Sequence, residues 1–170
     1  MNKEIIKKIF FFKNKPPHFI AFIGPLLKPL RVEENNFVYK EGDPIEEIFF
    51  LTKGKAVFVS HDLEDNPYLM IDQGHYFGEM DFVYQNYLEN KNNNSNDSFN
   101  VQNKITSSLK RAFSIKAVEN CDMMTLSKAN LARVDSEFED IIGEMFFNAH
   151  RKIKKTIKIK NLAESAYLLK

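Results

Sequence analysis

Apolar positions in the first thirty residues recur with helical spacing. Ile5, Ile6, Ile9, Phe10 and Phe12 are set around Lys3, Lys7 and Lys8 in a rough 3.6-residue pattern, which predicts a short amphipathic helix. Asn14-Lys15-Pro16-Pro17 breaks it. Pro17 suits the first turn of a second helix with the apolar face Phe19, Ile20, Phe22 and Ile23, and Gly24-Pro25 stops that helix. Residues 1–29 are therefore expected to form a helical hairpin. From Leu30 to Leu126 the chain switches to short β-branched and aromatic runs separated by Gly and Asp turns. Strands are predicted at Phe37 to Tyr39, Ile48 to Thr52, Ala56 to Ser60, Tyr68 to Ile71, Ala112 to Ala117 and Met123 to Leu126. Turns fall at Glu41-Gly42-Asp43, Lys53-Gly54-Lys55 and Gln73-Gly74. Helices do not alternate with these strands, so the expected class is α+β. Its centre, residues 30–126, is an antiparallel jelly-roll barrel with helices on both flanks.

One tract interrupts the barrel. Eight asparagines lie between Asn86 and Asn103 with no apolar period, and residues 86–108 are expected to be a disordered insert. Helical periodicity returns over 127–170, with Leu131, Val134, Phe138, Ile141, Ile142, Met145, Phe146, Ile153, Ile157 and Leu162, and Ser127 is the candidate N-cap.

Composition narrows the functional classes. The 170 residues carry 24 Lys+Arg against 23 Asp+Glu, a net charge of +1 that offers no broad basic field for a nucleic acid. A single cysteine, Cys121, excludes an internal disulfide and a Cys-rich zinc site, in keeping with a reducing cytosol. Phe19 to Leu27 is the longest strongly apolar stretch, nine residues where a membrane-spanning helix needs roughly twenty. Met1 to Lys8 lacks the features of a secretory signal.

Two segments carry candidate chemistry. In Gly74-His75-Tyr76-Phe77-Gly78-Glu79-Met80-Asp81-Phe82, Gly78 permits a close backbone approach, and the residues after it are placed to open a short helix whose N–H groups face an anion. In Lys110-Arg111-Ala112-Phe113-Ser114-Ile115-Lys116-Ala117, Arg111 enters a strand alternating Arg111, Phe113 and Ile115 with Ala112, Ser114 and Lys116.

In order and content these segments resemble the phosphate-binding cassette of cyclic nucleotide-binding domains, where Phe-Gly-Glu opens a short helix and Arg-Ala-x-Ser/Thr-Val begins the next strand. The matching residues are Phe77-Gly78-Glu79 and Arg111-Ala112-Phe113-Ser114-Ile115. The resemblance runs from about Pro25 to Lys155. It includes Tyr39-Lys40-Glu41-Gly42-Asp43, Ile48-Phe49-Phe50-Leu51 and Lys53-Gly54-Lys55-Ala56-Val57, and its texture is nearest the C-terminal regulatory domains of eukaryotic ion channels. It implies a ligand-binding set of Phe77, Gly78, Glu79, Met80, Asp81, Arg111, Ala112 and Phe113. Arg111 would pair with the cyclic phosphate and Glu79 would accept from the ribose 2′-hydroxyl. The N–H groups of Gly78, Met80 and Asp81 would cradle the remaining oxygens, and Ala112 would add a backbone contact. Ala112, where the guanine-selective members carry Thr, points to cAMP over cGMP. The implied role is a regulatory module that signals through movement of its C-terminal helix to an effector such as a channel, in the cytosol or as the cytosolic part of a membrane protein. Phe146, Phe147, Ile153 and Ile157 are the candidates to approach the bound base.

Two departures from the family pattern stand out. Arg111 follows Glu79 by 32 positions because of the insert, at little cost in closure entropy. Asp81 stands where a small neutral residue is usual. Its carboxylate either faces and repels the phosphate or turns back to the N–H groups of its own helix start. Metal and catalytic readings find no support. Of His18, His61, His75 and His150 only His75 lies near Glu79, and no nucleophile motif or phosphate-loop lysine occurs. No cofactor is expected beyond the nucleotide ligand. The rival reading is a ligand-free homology domain acting through protein contacts. The run Arg151, Lys152, Lys154, Lys155, Lys158 and Lys160 is then a solvated face or a peripheral contact for anionic lipid or an acidic partner.

Overall fold

The structure, a computed structural model, describes residues 3–93 and 100–168. Helices α1 (Lys3–Lys7) and α2 (Pro17–Ile23) lead in, with a 3₁₀ turn at Phe10–Phe12 between them. Eight strands follow: β1 (Lys28–Val32), β2 (Phe37–Tyr39), β3 (Glu47–Lys53), β4 (Lys55–Val59), β5 (Pro67–Asp72), β6 (Tyr76–Phe77), β7 (Ser114–Ala117) and β8 (Cys121–Ser127). Between β6 and β7 come a 3₁₀ turn at Met80–Phe82 and helices α3 (Tyr84–Asn93) and α4 (Val101–Thr106). Helices α5 (Lys128–Glu137) and α6 (Glu139–Leu168) end the described chain.

The strands form two four-stranded antiparallel sheets, ordered β1-β8-β3-β6 and β2-β7-β4-β5. This is the expected α+β jelly roll. The sheets meet across an aromatic core in which Tyr39 of one lies 5.7 Å from Phe49 and 6.3 Å from Phe77 of the other. The chain passes from β3 to β4, and so between sheets, at Gly54. Its φ of +96° suits glycine, and an added Cβ would stand 2.5 Å from the Asn120 carbonyl oxygen. All six predicted strands are present. β1 and β6 went unread: β1 is a largely exposed edge strand with Pro29 in it and no period-2 apolar signal, and β6 has two residues.

The N-terminal helices pack on this frame through phenylalanines. Phe12 and Phe19 are buried, Phe12 lies 5.3 Å from Phe50, and Phe19 and Phe22 lie 5.1 and 5.5 Å from Phe138 between α5 and α6. Ser127 caps α5 as expected, its hydroxyl accepting from the Asn130 N–H.

The expected disordered insert requires correction. Residues 84–93 and 101–106 are helical, and α4 docks on α5. Ile105 is buried, and Gln102 donates to the Ala132 carbonyl at 2.9 Å and to Asp135 at 2.5 Å. Asn100 serves as N-cap by accepting from the Asn103 N–H, so one asparagine of the polar tract starts a helix rather than a coil. Residues 94–99 of that expectation lie outside the described residues.

Candidate functional site

Strand β6 sits beside β3 and delivers the Gly78 turn to the barrel wall. Phe77 stacks on Phe49 at 5.1 Å, and Gly78 (φ +96°) lets the backbone approach so closely that a Cβ there would meet Arg111 Nη1 and Phe49 Cδ2 at 3.2 Å. Arg111 lies just before β7, with its N–H donating to the Asp43 carbonyl and its carbonyl accepting from the Gly42 N–H. The predicted alternation holds: Arg111, Phe113 and Ile115 are all buried.

The Arg111 guanidinium is almost fully used. Nη1 donates to the Gly78 carbonyl at 2.7 Å and to Asp81 Oδ2 at 2.9 Å, Nη2 donates to the Glu47 carbonyl, and the group lies 3.9 Å from the centre of the Tyr39 ring. Its Nε is buried with no partner. The other Asp81 oxygen, Oδ1, accepts from the N–H groups of Ala112 (2.7 Å) and Phe113 (3.1 Å). Side-chain exposure is 2% for Arg111 and 1% for Asp81. A carboxylate so enclosed is held by matched donors, because a buried charge without them carries a heavy desolvation cost. Burial pushes the Asp81 carboxyl up from its ordinary range, against the opposing pull of Arg111 and the two N–H groups. Burial, then the Asp81 charge, raises the Tyr39 phenol well above its usual range.

Neither sequence expectation for Asp81 describes this arrangement. Its carboxylate does not turn back to the start of its own short helix; it crosses to Arg111 and to the backbone entering β7. Sequence spacing could not show it, since the pair joins positions 30 apart across the insert.

Glu79 takes a separate position. It is 1% exposed, and its Oε2 lies 3.3 Å from Lys152 Nζ on α6, which also sits 4.3 Å over the Tyr76 ring. Four contacts at four-residue spacing then tie α6 to the barrel. After Lys152 to Glu79, Thr156 donates to Met80 Sδ (3.6 Å), Lys160 meets Glu41 (2.9 Å), and Glu164 accepts from Ser60 (2.9 Å). Positions i, i+4, i+8 and i+12 fall along one helical face. The basic run is thus divided: Lys152 and Lys160 are paired with the barrel, while Arg151, Lys154 and Lys158 border an outer groove with Tyr87 and Phe147.

Between the cassette and α6 lies a cleft of about 340 Å³, with Leu69, Ile71, Tyr76, Phe77, Glu79 and Met80 on the barrel side and Lys152, Lys155, Thr156 and Ile159 on the helix side. Of the eight residues singled out from sequence, Phe77, Glu79 and Met80 line it. Gly78, Asp81, Arg111, Ala112 and Phe113 are grouped behind it around the Arg111–Asp81 pair. The expected lid residues also need correction. Phe146 packs edge-on against Phe82 at 5.7 Å, Ile153 is core, Phe147 is 64% exposed on the outer groove, and Ile157 is half-buried against the core at the edge of that groove. The phase of α6 brings Lys152, Thr156 and Ile159 to the cleft instead, a detail no linear pattern of apolar residues specifies. Among the described residues, no group of three His, Cys, Asp or Glu side chains could hold a metal ion, and no helix is long and apolar enough to cross a membrane.

This architecture defines a class. The chain has the fold of cyclic nucleotide-binding domains: it superposes with a TM-score of 0.63 on the solved structure described as "Sp-2Cl-cAMPS bound to PKAR CBD2", at 23% identity over 96% of this chain and 89% of that one. A 54-residue stretch, 32% of the chain, is 32% identical to "Putative cyclic nucleotide-gated ion channel 13" of Arabidopsis thaliana. The chain spans only 8% of that channel's length. No family model matches the chain.

Proposed function

We propose that this chain is a non-enzymatic regulatory module whose cleft takes a cyclic nucleotide, cAMP in preference to cGMP, and that occupancy of the cleft sets the position of α6 for an effector in the parent protein. The observation that carries this is the pairing of Glu79 with Lys152. A ribose hydroxyl that used Glu79 would compete with an α6 lysine for the same carboxylate, so binding would act directly on the helix. A ligand shifts such an equilibrium only through its different affinity for the two helix positions, and that competition supplies the difference. The apolar walls given by Leu69, Ile71 and Ile159 suit a base. The channel relative supports a place as the cytosolic part of a membrane protein.

A second reading, a ligand-free homology domain that works through protein contacts, is favoured by one specific observation. Arg111 Nη1, a donor that would receive a phosphate, is already paired with Asp81, and Nη2 donates to the Glu47 carbonyl. Titration calorimetry with cAMP and cGMP separates the two. Saturable binding, tighter for cAMP, supports the ligand-gated module, and no heat from either nucleotide at millimolar concentration supports the ligand-free one.

A further inference from the structure

The Asp81 carboxylate makes the contacts an incoming oxyanion would make. One oxygen faces Arg111 Nη1 at 2.9 Å, and the other accepts from two successive backbone N–H groups, of Ala112 and Phe113, at 2.7 and 3.1 Å. Arg111 and Phe113 are buried and Ala112 is half-buried, and the three donors belong to one tripeptide that the fold brings to Asp81 across 30 positions of sequence. One further donor of the same guanidinium, Arg111 Nε, is buried without a partner, so the group has unspent capacity for an acceptor. Convergent, preorganised N–H donors around a guanidinium constitute an anion receptor.

We infer that Asp81 is a built-in surrogate anion: it plugs an oxyanion pocket formed by Arg111 and the Ala112 and Phe113 N–H groups, and the pocket accepts a phosphate group once the plug is removed. This deepens the proposed function and rests on it for one step only, the assignment of that phosphate to a cyclic nucleotide. The pocket itself rests on the donor geometry. The mechanism is occupancy rather than repulsion across a shared site, because the carboxylate fills the position that the phosphate needs. An external phosphate competes with a tethered group present at high effective concentration, which lowers apparent affinity without altering the rest of the cleft. Affinity is therefore set by how readily Asp81 is displaced.

The test compares wild type with Asp81→Ala and Asp81→Asn in the full 170-residue chain. Thermal melts are recorded against inorganic phosphate, with sodium chloride at matched ionic strength as the control, and calorimetric titrations are run with cAMP. The expected result is that phosphate raises the melting temperature of Asp81→Ala in a saturable way and leaves wild type level. cAMP binding by Asp81→Ala should be at least about tenfold tighter than by wild type, as follows when a competing group is removed. Asp81→Asn keeps the shape and loses the charge, so it carries the measurement if the alanine variant folds poorly, and it should also bind cAMP more tightly than wild type. Folding of Asp81→Ala only in phosphate would equally bear the inference out. Phosphate stabilisation of Asp81→Ala with no cAMP binding by any form keeps the plugged pocket and removes the cyclic-nucleotide reading. Wild-type cAMP binding that neither variant improves, with no phosphate effect, overturns the plug and leaves that reading standing.

Discussion

Lys152 of the long C-terminal helix holds its ammonium 3.3 Å from the carboxylate of Glu79, a residue with 1% of its surface exposed. Burial pushes the Glu79 carboxyl above its ordinary value of 4.5, and the Lys152 charge opposes but does not cancel the push. The native state therefore binds the Glu79 proton more tightly than the unfolded chain. The stability this contributes is fully present below about pH 4.5 and is lost as pH rises through the native value. Glu79→Gln should flatten that fall. Chemical denaturation of both proteins from pH 4 to 8 checks it, and equal slopes for the two proteins would refute the role given to Glu79.

The Arg111–Asp81 pair makes a prediction about coupling. Removing one partner, as in Arg111→Met or Asp81→Leu, leaves a buried charge unmatched and should cost about 3–5 kcal/mol. The double variant should cost clearly less than the two single variants combined, because it leaves no orphan charge. Additive losses in urea unfolding would mean that the two residues do not act as a unit.

Gly54 and Gly42 both have φ near +90°, yet their surroundings differ. A Cβ at Gly54 meets the Asn120 carbonyl oxygen at 2.5 Å, whereas at Gly42 it finds nothing within 4 Å. Gly42→Ala should cost about 1–2 kcal/mol, the penalty of left-handed backbone alone. Gly54→Ala should cost more, because the crossing between sheets must also shift. Melting curves showing equal losses would contradict this account of the β3–β4 crossing.

Helix α4 supplies the last prediction. Ile105 is fully buried where it packs towards α5, so Ile105→Ala should destabilise the domain by about 2–5 kcal/mol. A spacer that merely linked the two halves of the cassette would tolerate the change, and an unaltered unfolding midpoint would restore that simpler view.

Much of this molecule is legible in linear order. Short β-branched and aromatic runs marked six strands, Gly at positive-φ turns separated them, Ser127 announced α5, and the two cassette segments stood in order, with the insert between them and Asp81 as departures from the family pattern. These features depend on neighbours a few residues apart, which is what local sterics and hydrogen bonding encode. Position 81 shows where that reading stops. Sequence places a carboxylate beside an expected phosphate site, but its partner was decided by the meeting of the β6 turn with the chain entering β7, 30 residues on. The same holds for α6. Its basic run is plain in sequence, yet which lysines face the barrel depends on the rotation that buries Ile153 and sets Lys152, Thr156 and Lys160 against Glu79, Met80 and Glu41. The polar tract became helical where α5 offered Ile105 a core and Gln102 its acceptors, and a lone segment cannot supply those. Local chemistry therefore determined the elements and the candidate residues. Packing decided which charges met, because pairing buried charges is a property of surfaces that only the folded chain brings together.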